Sequence, residues 1–231
     1  MRSRRAAFSL SFFVVLAALL ALDWIAAAAS SARNSATSSA AKSANVSAFI
    51  SALLAANKKA ASADRAAGVA AWQQMYSVLT SPRCINCHTA TNHPQQGDDR
   101  HRHLFNVVRG PMGKGVPGLN CATCHQQANA DSTGVPGAHD WHLAPLSMKW
   151  QDGNDQVMPS AAVCRSVTDR GKNGGLDGPA LLKHHTEAEL VVWAWAPGRR
   201  NDGSLRTSPP LTHAQFVEAT RQWVEAGTPC P

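Results

Sequence analysis

Aromatic residues are scarce in this chain, whereas residues that interrupt regular structure are common. Phe, Trp and Tyr make up 6% of the 231 residues, with a single tyrosine, while there are 16 glycines and 13 prolines. Such a composition provides little bulky apolar material for a self-sufficient core. We therefore expect part of the core to be contributed by something other than side chains.

The chain also lacks the sequence pattern that would link its positive charge to nucleic-acid binding. The net charge is +7 and the pI about 9.4, but no run of Lys and Arg is interleaved with aromatic residues. Nucleic-acid binding is therefore not expected. The charge is better interpreted as a solvated surface that biases how partners dock.

Two motifs of the form Cys-x-x-Cys-His are the most informative part of the sequence. They consist of Cys84, Cys87 and His88, and of Cys121, Cys124 and His125. This pattern is the signature of covalent attachment of a c-type haem. The two thiols of a motif lie on one side of a turn and can bind the vinyl groups of one haem, and the histidine can bind its iron as the proximal ligand. The sequence thus predicts two covalently attached c-type haems.

Two other kinds of site also use paired cysteines. A zinc site built from both pairs is the main alternative, but it does not require a histidine directly after each second cysteine, and this chain has one both times. A thioredoxin-like redox pair requires a strand followed by a helix, a setting that the residues around the motifs do not predict.

The N-terminus has the pattern of an export signal. Basic residues at positions 2, 4 and 5 precede an apolar run over 6–22 and small residues over 26–30, which predicts a signal peptide over residues 1–29 and a periplasmic location. The apolar run is long for a signal, so contact with a membrane is expected only if the leader stays uncleaved. A lipoprotein anchor is not expected, because no cysteine precedes Cys84. Residues 30–45 are predicted to be an Ala/Ser-rich flexible spacer, and residues 46–231 the dihaem domain.

The predicted fold class is mainly α. Apolar periodicity and capping patterns predict helices over residues 46–57, 64–79, 160–170, 186–195 and 213–226. Met75, in the second of these helices, is expected to pack in the hydrophobic core of the protein. The density of glycine and proline over 93–118 and 126–158 predicts long irregular loops. Together these features predict a small cytochrome c-like dihaem domain with long irregular loops around the haems.

The ligand on the far side of each iron decides between an electron carrier and an enzyme. A second His or Met completes the coordination, whereas an open position allows ligand binding or peroxide chemistry. The distal candidates are His103 and His142 first, then Met148, then Met112, His101 and His139. For any single one of these histidines, the alternative is a surface role or a hydrogen bond to a haem propionate.

Cys164 and Cys230 remain once four cysteines are assigned to haem. In an oxidising compartment such a pair predicts a disulfide, here between the helix at 160–170 and the tail after the last helix. The alternative is a free buried thiol and an unpaired cysteine in the tail.

Several further segments accompany the two motifs in one recognisable order. They are Gln96-Gly97-Asp98-Asp99, Val107-Val108-Arg109-Gly110-Pro111, Gly115-Val116-Pro117-Gly118, Trp141-His142-Leu143-Ala144-Pro145, Met148-x-Trp150, Asn173-Gly174-Gly175 and Trp193-x-Trp195-x-Pro197-Gly198. In this order the chain, over roughly residues 68–231, resembles small bacterial dihaem proteins described as the cytochrome subunit of isoquinoline 1-oxidoreductase.

The resemblance implies a periplasmic electron-transfer partner for a molybdenum hydroxylase. By position it carries over His103, His142 and His184 as ligand candidates. We expect a dihaem cytochrome that passes single electrons between a dehydrogenase or other oxidoreductase and a downstream acceptor, and that is not an enzyme by itself. The alternative is a small peroxidase-like enzyme with one open haem iron.

Overall fold

A computed structural model describes residues 45–231 of the chain. The predicted signal peptide lies outside these residues, as does the predicted spacer except for Asn45. About 48% of the described residues are helical and the strands are few and short, which confirms the prediction of a mainly α fold. None of the helices in this part of the chain combines the length and hydrophobicity needed to cross a membrane.

Helices occupy the two ends of the described chain, and loops with short strands lie between them. Helix α1 covers residues 45–79, followed by α2 (Pro82–Ile85), α3 (Ser160–Thr168), α4 (Gly178–Glu187), α5 (Glu189–Val192) and α6 (His213–Glu225). Strand β1 (Gln95–Gln96) pairs antiparallel with β2 (His101–Arg102), and β3 (Gly115–Val116) with β4 (Leu119–Asn120). Single 3-10 turns lie at Leu104–Asn106, Pro111–Gly113, Cys121–Thr123, Leu146–Met148 and Trp193–Trp195.

Helix α1 corrects the prediction of two separate helices. Residues 58–63 between the predicted helices are lysines, alanines and one serine, with no Gly or Pro to stop helix propagation. Among the described residues, the boundary between two compact units falls within this helix, between Ala60 and Ala61. In the described part of the first unit, large apolar side chains recur at three- and four-residue steps and are half or more exposed: Val46, Phe49, Ile50, Leu53 and Leu54.

The core of the second unit forms where the end of α1 meets α3 and α6. Trp72 and Met75 of α1 are fully buried, which confirms the core role predicted for Met75. The ring of Trp72 lies 5.2 Å from that of Trp223 in α6, centroid to centroid, and its Nε1 donates to Ser160 Oγ at 2.9 Å. Val163 of α3 packs in the same cluster.

Helix ends follow the capping pattern in one predicted case and not in another. The capping box of Thr212 and Gln215 is present at the start of α6. The box predicted for Thr186 and Glu189 is wrong, because the Thr186 hydroxyl donates back to Leu182 O within α4 at 2.7 Å. Helix α4 is instead capped by Asp177, whose side chain accepts from Ala180 N. Helix α3 ends at Thr168, two residues before the predicted end.

The predicted disulfide is present. Cys164, buried in α3, is bonded to Cys230, which follows α6 and lies 66 positions away. The Nε1 of Trp223 donates to Pro229 O at 3.0 Å. The C-terminal tail is therefore held to the core by this hydrogen bond as well as by the disulfide.

Candidate functional site

Both Cys-x-x-Cys-His motifs adopt the same local turn. In the first, the amides of Cys87 and His88 donate to Cys84 O at 3.1 and 3.2 Å. In the second, the amides of Cys124 and His125 donate to the carbonyl of the first cysteine at 3.2 and 2.9 Å. A single turn of this kind places both thiols of a motif and the following imidazole within reach of one bound group.

The surroundings of the two turns differ in burial. The first turn begins at α2, where Pro82 starts the helix directly after α1, and Cys84 is partly buried against the core. The second turn follows strand β4 and is capped by the Asn120 side chain, which accepts from Ala122 N at 3.0 Å. Its Cys124 is exposed.

His88 is held by a segment 60 positions further along the chain. Its Nδ1 donates to Met148 O at 2.6 Å, and its ring stacks on Trp150 with centroids 3.4 Å apart and planes 4° from parallel. The amide of Trp150 donates in turn to His88 O at 2.9 Å. These three contacts fix both the position and the rotation of the imidazole.

His125 is held in the same way by different residues. Its Nδ1 donates to Pro136 O at 2.7 Å, and its ring stacks on Trp141 at 4.5 Å and 7°. Trp141 meets Trp193 edge to face at 4.7 Å, and Trp193 Nε1 donates to Asn129 Oδ1 at 3.0 Å. The second site is thus connected to the 3-10 turn that follows α5.

These contacts select the form of histidine that binds metals. A carbonyl oxygen can only accept a hydrogen bond, so each Nδ1 carries the proton and each Nε2 keeps its lone pair. A hydrogen bond from the second ring nitrogen to a carbonyl is the usual way in which proteins orient a metal-binding imidazole. Burial lowers the pKa of His88 to about 4 and also lowers that of His125, so both rings stay neutral.

His103 lies opposite His125. The ring centroids are 5.9 Å apart, with the planes 71° from parallel. His103 Nδ1 donates to Leu104 O at 2.8 Å, so its Nε2 is also the nitrogen with the free lone pair. His125 and His103 are the residues that could hold one iron together.

His184 lies on α4, and its ring centroid is 5.8 Å from that of the neighbouring His185. Burial is the main cause of the lowered pKa of His88, and the charge of His184 is among the further causes. The adjacent His185 is buried and its Nδ1 contacts Thr220 Oγ1 at 3.1 Å. His185 therefore belongs to the core, whereas His184 is exposed.

The other candidates make contacts elsewhere. His142 Nδ1 donates to Asp140 O at 2.5 Å, and His101 Nδ1 to Asp99 Oδ1 at 2.6 Å. His139 Nδ1 contacts Gln127 Oε1 at 2.9 Å. The Met112 side chain is 81% exposed, and Met148 offers its main-chain oxygen to His88 while its side chain packs against the core.

The thiols do not resemble those of a redox pair. Burial raises the pKa of Cys84 to about 12 and that of Cys87 to about 11, and it also raises the pKa of Cys121. Reactive thiol pairs have lowered pKa values, because the thiolate is the nucleophile. A zinc site made from both pairs would need four ligands together; among residues 45–231 no three His, Cys, Asp or Glu side chains converge in that way.

The first motif is surrounded by polar atoms that fit an additional bound group. Four buried side-chain atoms in the described chain have no hydrogen-bond partner, and all belong to residues beside this motif: Ser81 Oγ, Arg83 Nε, Asn86 Oδ1 and Trp150 Nε1. Buried polar atoms are normally paired. A group that carries carboxylates as well as an apolar ring, such as haem, could supply acceptors for the two N–H groups.

The residues that hold the histidines were not predicted from the sequence. Trp141 and Trp150 occur in the recurring segments, but their spacing does not reveal that they stack on His125 and His88. The carbonyl acceptors of Pro136 and Met148 have no side-chain signal at all.

Searches against protein-family models, curated proteins and solved structures found no match to this chain.

Proposed function

We propose that this protein is a periplasmic dihaem c-type cytochrome that carries single electrons between an oxidoreductase partner and a downstream acceptor. The observation that carries the proposal is the shared construction of the two motifs. Each places two thiols and a neutral imidazole on one turn, and each fixes that imidazole through Nδ1 so that Nε2 is free to bind iron.

We assign the distal positions to two histidines. His103 serves the iron of His125, since the two ring centroids lie 5.9 Å apart. His184 is assigned to the iron of His88 because the resemblance carries it over by position as a ligand candidate. His142 remains the alternate to His184, since its Nδ1 also donates to a main-chain carbonyl, that of Asp140.

The protein's own contribution is to fix and bury the ligands. When bound, the haems supply reversible one-electron chemistry. The stacked tryptophans and the carbonyl acceptors hold each imidazole in one orientation, and the core packed against Cys84 limits water at the first site. Histidines on both sides leave no open position for a substrate, which favours a carrier over the peroxidase-like alternative.

The compartment and partner follow from chemistry and resemblance. Disulfides persist in oxidising compartments, so the Cys164–Cys230 bond supports export to the periplasm. Haem is attached to c-type apoproteins after export. A molybdenum hydroxylase is the donor that the resemblance suggests, and the basic surface would guide docking of acidic partners.

The test is to express the full chain together with a c-type haem maturation system. Intact mass and the pyridine haemochrome assay should give two covalent haems per chain, and optical and EPR spectra should show two low-spin centres. His103→Ala and His184→Ala should each turn one haem high-spin. His142→Ala is the matched control and should leave both haems low-spin.

Two outcomes would contradict this proposal. Absence of covalent haem in the matured wild-type protein would remove the cytochrome assignment. A native high-spin haem that binds CO would favour the peroxidase-like enzyme with one open iron instead.

A further inference from the structure

A cluster of arginines surrounds one aspartate beside the first motif. Arg83, the residue before Cys84, donates to Asp98 Oδ1 at 2.5 Å. Arg200, from the loop between α5 and α6, donates to Asp98 Oδ2. The Thr207 hydroxyl donates to the same oxygen at 2.8 Å. Asp98 thereby holds two guanidinium groups from distant parts of the chain next to the haem-attachment turn.

Positive charge exceeds negative charge in this cluster. Arg206 is a third guanidinium nearby: burial is the first cause of its lowered pKa, followed by the charges of Arg83 and Arg200. Its own N–H groups go to carbonyl oxygens, among them Pro197 O at 3.0 Å, so it adds charge without taking up a carboxylate. Two carboxylates, those of Asp98 and Asp131, oppose the three cations. Asp131 is exposed to solvent.

Arg83 is the member of the cluster whose partners are incomplete. Its side chain is 4% exposed, and its buried Nε has no hydrogen-bond partner. Trp150 Nε1, on the ring that stacks on His88, is a second buried donor in the same situation. A buried guanidinium with an unused donor is costly, so the missing component is an acceptor, and the excess of cations indicates that it is an anion.

We propose that Arg83 and Arg200, positioned by Asp98, bind a propionate carboxylate of the haem attached at Cys84 and Cys87. This rests on the proposed function. Guanidinium groups bind carboxylates through paired, charge-assisted hydrogen bonds, and Arg83 directly precedes the attachment turn. The site would fasten the C-terminal loop that carries Arg200 to the first haem, so that loop would be ordered by haem binding.

The experiment compares Arg83→Gln, Arg83→Lys and Arg200→Gln in the matured holoprotein. The readouts are the haem propionate bending band in the resonance Raman spectrum and the midpoint potentials from a spectroelectrochemical titration. Arg83→Gln and Arg200→Gln should each move the Raman band and lower the potential of one haem only, since a cation that favours the reduced iron is lost. Arg83→Lys should keep much of the potential, because it keeps the charge, but should still move the band. Arg221→Gln is the matched control, an exposed arginine paired with Glu218 and Glu225 on its own helix.

An unchanged Raman band in Arg83→Gln and Arg200→Gln, with two haems still bound, would overturn the proposal and leave a structural ion pair. An unchanged band with potentials that depend on added inorganic phosphate would also overturn it, because the cluster would then bind a free anion. If Arg83→Gln does not fold, Arg200→Gln still decides, as its side chain is 35% exposed. Loss of covalent haem from the wild type would be a failure of the proposed function and not of this inference.

Discussion

At the scale of single residues, the structure separates main-chain contacts from side-chain contacts. The partner of His88 at residue 148 is the peptide carbonyl, and any residue type can provide that oxygen. The partner of His125 at residue 103 is an imidazole, and few side chains could replace it at the same position. Substitutions at the two positions should therefore differ sharply in effect.

Met148→Leu should leave the haem ligation unchanged. The substitution keeps the carbonyl that accepts from His88 and nearly conserves the volume packed against the core, so we expect a loss of stability below about 1.5 kcal/mol. The measurement is the EPR and near-infrared spectrum of the holoprotein, together with urea unfolding. Appearance of a high-spin haem would show that the Met148 sulfur is an iron ligand after all.

At the scale of structural elements, a disulfide and a capping box stabilise the C-terminal helices. The Cys164–Cys230 bond joins α3 to the tail behind α6, and the capping box fixes the start of α6. The disulfide is anchored at Cys164 in the core that packs against α1, whereas the capping box lies at the exposed start of α6. Their loss should lower global stability without changing the iron ligands.

Removal of the disulfide in the double variant Cys164→Ser, Cys230→Ser should cost roughly 4 kcal/mol, because the bond closes a long loop in the unfolded chain. Chemical unfolding of the holoprotein measures the change. Reduction of the wild type should reproduce it, and reductant should have no effect on the double variant. Equal stabilities of the wild type and the variant would mean that the unfolded state is already constrained in other ways, for instance by its haems.

Thr212→Ala should destabilise the protein by about 1 kcal/mol. The hydroxyl accepts from Gln215 N at 3.2 Å, and without it the first turn of α6 has an unpaired amide. Thermal unfolding of the holoprotein measures the effect. Ser208→Ala, at an exposed position in the preceding loop, is the control and should stay within about 0.5 kcal/mol of the wild type.

At the scale of the whole molecule, the two sites differ in their environment although their turns are alike. The first motif is partly buried, with Arg83 beside it, while Cys124 of the second is exposed. Burial and nearby cations both disfavour the extra positive charge of oxidised iron, and solvent exposure is one of the properties that set haem potentials.

A potentiometric titration should therefore show two separate one-electron steps, with the first haem at the higher potential. His103→Ala provides the assignment, since it should shift only the lower step. The prediction is wrong if both haems titrate together, or if His103→Ala moves the upper step.

The sequence by itself determined what depends on residue type and short spacing. The two candidate attachment turns, the mainly α class, the capping box at Thr212 and the pairing of the two remaining cysteines could all be predicted, because each follows from neighbours along the chain or from elimination. The helix at α4 could have been found from Asp177 and Pro179, a capping residue followed by proline in the first turn.

Only the tertiary structure decided which residues meet across long separations. His88 and its acceptor at Met148 are 60 positions apart, and Arg200 reaches Asp98 across 102 positions. Among eight histidines outside the motifs, sequence order does not reveal which one lies close to a motif histidine, because irregular loops place side chains according to packing and not by a fixed period. His103 was already a candidate from the sequence, and what the fold adds is that its ring centroid lies 5.9 Å from that of His125.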